Sequence, residues 1–207
     1  MGGTSALKSG GKKLAERCQA VIVCAELRNF TRMSEMLEPE RVLQLASAFF
    51  SLASVALKAH GGEIVSLQND SLVAAYRGGK PGEIAGHALQ AARGLLREFA
   101  PLAERWQADY GLAAAAAAGA HLGETLFGMA GQQGAEQYLA FGDSVSIAER
   151  LVHRARAGEI VMSAALIKPL GPAARSLDAR PLPPLELARR PPLPIYGILL
   201  DTRLDFT

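Results

Sequence analysis

The sequence predicts an α+β sandwich, a largely antiparallel sheet with helices packed on it. Two observations carry this. Short apolar runs of strand length alternate with long segments of helical periodicity, and turn residues join neighbouring strands into hairpins. The resulting order is strand, helix, hairpin, helix, hairpin, helix, strand, strand, with no internal repeat.

Residues 1–17 are rich in Gly, Lys and Ser and read as a leader or the end of a linker, leaving 18–207 as one domain. Residues 19–25, Gln-Ala-Val-Ile-Val-Cys-Ala, form an apolar, β-rich run suited to a central strand. Residues 39–59 place apolar side chains at Val42, Leu45, Ala46, Phe49, Phe50, Leu52 and Ala53, a helical spacing that Pro39 can open. His60-Gly61-Gly62 stops that helix. A hairpin follows, with strands at 63–67 and 72–76 around the turn residues Gln68-Asn69-Asp70-Ser71. After the loop 78–82, residues 83–107 make a second long amphipathic helix.

The run 113–118 is all alanine, for which propensity favours helix. Gly111 and Gly119 bracket only seven residues, too few for a helix standing alone, so a buried strand is expected, with 124–128 as its hairpin partner. Residues 143–156 read as a helix capped by Asp143 or Ser144. A strand at 159–162 follows. The tail holds most of the prolines, with an extended connection at 181–194 before a last apolar strand at 195–200.

The chain has 207 residues, enough for one domain with a real core; 49% are apolar and 20% charged. A formal net charge of +2 gives no argument for nucleic acid or an anionic membrane. No apolar run approaches the roughly 20 residues of a membrane span, and no signal peptide is visible. Cys18 and Cys24 lack metal-pair spacing and suit thiols in a reducing cytoplasm. The four histidines show no metal-ligand spacing.

Five motifs in order then resemble one family. They are Phe30-Thr31 after the first strand, His60-Gly61-Gly62, Gly119-Ala-His-Leu-Gly123 followed by Gly128 and Gly131, Gly142-Asp143, and Ala148 with Arg150-Leu151. Together they resemble the class III nucleotidyl cyclases over roughly residues 20 to 200. The resemblance implies a ferredoxin-like, palm-like fold that converts ATP or GTP to a cyclic nucleotide and pyrophosphate. It also implies a dimer, homodimer or heterodimer with a second cyclase-homology chain, because the family's site forms between two subunits. A diguanylate cyclase is excluded by the absence of a Gly-Gly-Asp/Glu-Glu-Phe motif.

The implied chemistry is in-line attack of the ribose 3′-hydroxyl on the α-phosphorus, assisted by two Mg2+ or Mn2+ ions. In this resemblance the metal carboxylates fall at Glu26 and Asp70. The family expects Asp at the first; a displacement of about an ångström can cost on the order of 10²-fold. Asp70 is also what an ordinary turn takes, and Glu26 what an ordinary strand end takes. The base-reading positions, Lys and Asp or Thr in the family, are Ser66 and Leu139. The ribose-orienting Asn is Ser146, and the phosphate-binding Arg is kept as Arg150, a residue a helix surface also accommodates.

Losing one preorganised donor typically costs around 10²–10³-fold. Two readings follow from the pattern of retained and lost groups. One is a cyclase of weak or partner-dependent activity; the other is a catalytically inactive cyclase-homology module that dimerises or senses nucleotide.

Overall fold

In the computed structural model, residues 8–9, 12–13, 15–132 and 135–200 are described. Much of the expected leader, residues 1–7, 10, 11 and 14, therefore lies outside the described residues. Strands β1 (Ala15–Arg28), β2 (Glu63–Gln68), β3 (Ser71–Tyr76), β4 (Ala115–Ala130), β5 (Gln137–Phe141), β6 (Glu159–Ser163), β7 (Arg180–Leu187) and β8 (Arg190–Leu199) form one sheet. Its order is β2-β3-β1-β4-β6-β8-β7, with β5 on β4 beyond the end of β6. Every pairing is antiparallel except β4 with β6. The helices are α1 (Phe30–Met36), α2 (Pro39–Lys58), α3 (Pro81–Tyr110), α4 (Asp143–Arg154) and α5 (Ala164–Ile167), which leads into a 3-10 segment at Lys168–Leu177.

Alternation along β1 divides the core. Val21, Val23, Ala25 and Leu27 face α2 and α3, while Ala20, Ile22 and Cys24 face α4. On the first face Phe99 makes edge contacts with Phe49 and Trp106 at 5.5 and 5.4 Å. On the second, Ile147, Ala148, Leu151 and Val152 of α4 cover the sheet alone. Helix α2 is long and apolar enough to cross a membrane by composition, but it buries Leu45, Ala46, Phe49, Ala53 and Leu57 against the protein.

Three expectations need correction. The segments 113–118 and 124–128 are not a hairpin: residues 115–118 and 124–128 belong to the single strand β4, paired with β1 from Ala15↔Gly128 to Arg28↔Ala115. Gly119 marks the passage of α4 across the strand, since a Cβ there would meet helix backbone. The hairpin partner of β4 is β5, with Leu126 opposite Phe141. Second, α4 is capped by Gly142, at φ 130°, and no side chain caps it; the Ser144 hydroxyl instead donates to the Glu124 carbonyl at 3.1 Å and pairs with the Thr125 hydroxyl at 2.6 Å. Third, the proline-rich 181–194 contributes β7 and the start of β8. Strand β7 is at the sheet edge and β8 shifts register around Leu193, places where a missing amide donor is tolerated.

Candidate functional site

Glu26 and Asp70 are brought together by the pairing of β1 with β3. Glu26 stands opposite Ser71, and the Leu27 amide donates to the Asp70 carbonyl at 2.8 Å. Asn69, in the left-handed region at φ 42°, closes the β2–β3 turn that presents Asp70. Both carboxylates act on Cys24. Burial, then Glu149, Glu26 and Asp70, push its thiol up to about 12.

Glu26 is buried, and its carboxylate is engaged. Arg28, two residues on and therefore on the same face of β1, donates from Nη1 to Glu26 Oε1. His153 Nε2 of α4 lies 3.4 Å from Glu26 Oε2. Arg28 Nη2 also donates to the carbonyls of Val152 and, at 2.7 Å, Ala155. Those carbonyls belong to the C-terminal end of α4, where the Val152 carbonyl also accepts the Ala155 amide at 3.0 Å. By contrast, no hydrogen bond or ion pair engages the Asp70 carboxylate among the described residues. Sequence reasoning missed Arg28 and His153; the shared face of positions 26 and 28 was the available signal for the first.

The other expected residues stand apart from this pair. Ser66 of β2 is half-buried opposite Val73. Leu139 of β5 is half-buried opposite Gly128. Ser146 and Arg150 are exposed one turn apart on α4. Arg150 donates to the Glu186 carbonyl of β7. Among the described residues no hydrogen bond or ion pair joins Ser66, Leu139, Ser146 or Arg150 to Glu26 or Asp70.

At the opposite end of α4, Arg190 of β8 grips Asp143 with both guanidinium nitrogens, at 2.6 and 2.8 Å. That hydrogen bonding holds the Asp143 carboxyl below its ordinary range. Beside it a cavity of about 320 Å³ opens where β4 has left β6 and not yet met β5, with His121, Gly123, Asp143 and Ser144 in its wall. His121 Nδ1 lies 2.7 Å from the Ser163 hydroxyl, and burial pushes the imidazole down to about 4.

A divalent metal finds two carboxylates on adjoining strand ends, the donor chemistry that hard cations take. Glu26 and Asp70 would hold it, Glu26 only after release from Arg28. Among the described residues no cluster of three or more His, Cys, Asp or Glu is arranged for a metal.

A family model described as the adenylate and guanylate cyclase catalytic domain matches residues 14–183. Adenylate cyclase 1 of Rhizobium meliloti (strain 1021) is 30% identical over 148 residues, 68% of this chain and 21% of that protein. The chain therefore spans about a fifth of that relative's length. The adenylyl cyclase CyaB from P. aeruginosa superposes with a TM-score of 0.81 at 21% identity, covering 92% of this chain and 98% of that one. The guanylate cyclase domain of RhGC from Catenaria anguillulae, solved in complex with GTP, gives a TM-score of 0.73 at 16% identity, covering 86% and 94%. These two likenesses establish the fold.

Proposed function

The chain belongs to the family of adenylate and guanylate cyclase catalytic domains, and from that premise we propose that it is a signalling domain of weak or partner-dependent cyclase activity. Its substrate is a nucleoside triphosphate, ATP or GTP, and its products a cyclic nucleotide and pyrophosphate. The observation that carries this reading is the paired presentation of Glu26 and Asp70 on adjoining strand ends. Mg2+ or Mn2+ bound there supplies Lewis acidity for the 3′-hydroxyl and charge neutralisation for the phosphates. Asp70 holds the cation from a tight turn, and Glu26 completes the pair from β1. Arg150, on the exposed face of α4, meets phosphate in a site shared with a second cyclase-homology chain.

What the chain lacks explains the partner. Leu139 has no polar side-chain atom, and the hydroxyls of Ser66 and Ser146 are too short to replace the family's Lys and Asn in reading a purine or orienting a ribose. A partner carrying those groups completes the site; the homodimer alone cyclises little. The thiols of Cys18 and Cys24 suit a reducing compartment, in keeping with a cytoplasmic location.

A second reading, an inactive dimerising or nucleotide-sensing module, is favoured by the occupation of Glu26 by Arg28 and His153 and of Arg150 by the Glu186 carbonyl. The triple variant Ser66→Lys, Leu139→Thr, Ser146→Asn separates the two. Incubated with manganese and ATP or GTP, it yields cyclic product if the metal half works. A folded, dimeric and inactive triple variant establishes the second reading instead.

A further inference from the structure

We infer that Arg28 is a resident counter-ion that competes with a divalent cation for Glu26, and that a cation which wins releases the C-terminal turn of α4. The inference rests on the metal-side reading above and deepens it. Glu26 and Arg28 are mostly buried, their side chains 12% and 19% exposed, so solvent screens their interaction less than at the surface. One guanidinium nitrogen satisfies Glu26 Oε1 and the other satisfies Val152 and Ala155 carbonyls. A positive group at a helix C-terminus is favoured both by the carbonyls that end the helix and by the helix dipole. The same side chain therefore neutralises the candidate metal ligand and fastens the helix that carries Ser146 and Arg150.

These roles cannot survive metal loading together. A cation approaching Glu26 meets one oxygen engaged by Arg28 and the other beside His153. It also meets the guanidinium charge itself, and like charges at such range repel strongly where water is scarce. Coordination requires Arg28 to swing away from Glu26. Its other nitrogen then leaves the α4 carbonyls, since both hang on one rigid planar group. Loading is opposed by the clamp, and the clamp is opened by loading.

The test is a manganese titration of the full chain at fixed pH and salt, following free Mn2+ by electron paramagnetic resonance. Arg28→Gln removes the charge and keeps a hydrogen-bonding side chain. It is expected to tighten Mn2+ binding by about tenfold or more, the gain vanishing when Glu26→Gln is added. Binding that is unchanged or weaker in folded Arg28→Gln overturns the inference. Should that variant fail to fold, Arg28→Met removes the charge and keeps an unbranched apolar stem; the inference expects tighter binding there too, and unchanged binding overturns it. Hydrogen exchange gives the second readout. Saturating Mn2+ should speed exchange over residues 152–156 of the unaltered chain, and unchanged protection there overturns the release of α4. Manganese binding that depends on Asp70 but is indifferent to Arg28 defeats this inference alone. No manganese binding in any variant defeats it together with the metal-side reading.

Discussion

Gly119 lies directly beneath Val152: a Cβ on the glycine would stand 2.2 Å from the Val152 amide nitrogen and 2.3 Å from the Ala148 carbonyl oxygen. Both neighbours are backbone, so neither can rotate out of the way. The missing side chain lets α4 settle onto the centre of the sheet, and α4 brings His153 and the carbonyls that Arg28 caps to the end of β1.

Gly119→Ala should therefore destabilise the fold by about 1–3 kcal/mol or more, the usual range for overpacking against an unyielding neighbour. Gly94 in α3 is the control. Nothing lies within 4 Å of a Cβ built there, so Gly94→Ala should be neutral or stabilising by up to about 1 kcal/mol through helix propensity. Urea midpoints of the two variants check this, and equal effects would refute the close-approach explanation.

The same glycine shows where the sequence misled. A glycine in an apolar run signals either a chain break or a close backbone approach, and the two cannot be told apart without knowing what passes overhead. Helices α2 and α3 were legible because periodicity is local. Strand β5 was not, because the glycines at 128 and 131 and the half-exposed residues 138–140 give no clean alternation. Edge strand β7 hid behind prolines that an edge tolerates. That Glu26 lies on the first strand beside the turn carrying Asp70 was legible from the apolar run and the turn residues. The engagement of Arg28 with α4 was not, because its partners Val152 and Ala155 lie 124 and 127 residues away.

Stability should fall on mild acidification through His121. Burial holds this imidazole neutral in the folded chain down to about 4, against an ordinary value of 6.5. Between those values the unfolded chain binds the proton and the folded chain does not. The contribution is complete above pH 6.5 and is lost as pH falls towards 4, to a ceiling of about 3 kcal/mol. His121→Gln removes the titration. The stability difference between the unaltered chain and this variant, by denaturant unfolding at pH 7.5, 5.5 and 4.5, should move against the unaltered chain as pH drops. A constant difference would mean the imidazole titrates alike in both states.

Dimerisation should use the β4–β5 hairpin. Leu126 and Phe141 face each other across it and are 36% and 44% exposed, with Met129 exposed nearby. Large apolar side chains in contiguous exposure mark interaction surfaces, and twofold dimers are the commonest assembly. The unaltered chain should be a dimer by light scattering, and Leu126→Glu with Phe141→Glu should leave a folded monomer. Exposed Leu43 and Val55 on α2 provide the comparison: charged substitutions there should leave the dimer intact if the hairpin carries the contact.

Asp70→Ala should abolish manganese-dependent nucleotide binding and spare the fold. The hydrogen bond that anchors this turn to β1 runs from the Leu27 amide to the Asp70 carbonyl, and alanine keeps that carbonyl. Among the described residues the carboxylate itself carries no hydrogen bond or ion pair whose loss would unfold anything. Calorimetry with ATP and manganese should find no binding in the variant at a thermal midpoint close to the original. Equal affinity in the two proteins would remove Asp70 from the metal site.

Purine discrimination should be poor. Sites built to hydrogen-bond a substrate group reject analogues by 10⁴–10⁵-fold, whereas apolar pockets manage on the order of 10–200-fold. Leu139 carries no polar side-chain atom, and Ser66 carries one short hydroxyl that can turn to donate or accept. Neither can distinguish the 6-amino edge of adenine from the 6-oxo edge of guanine. ATP and GTP should bind within about tenfold of one another, judged by competition in the presence of manganese. Introducing Leu139→Thr with Ser66→Lys should open a preference where none existed. A thousandfold preference in the unaltered chain would mean that another residue reads the base, and that Ser66 and Leu139 do not line its pocket.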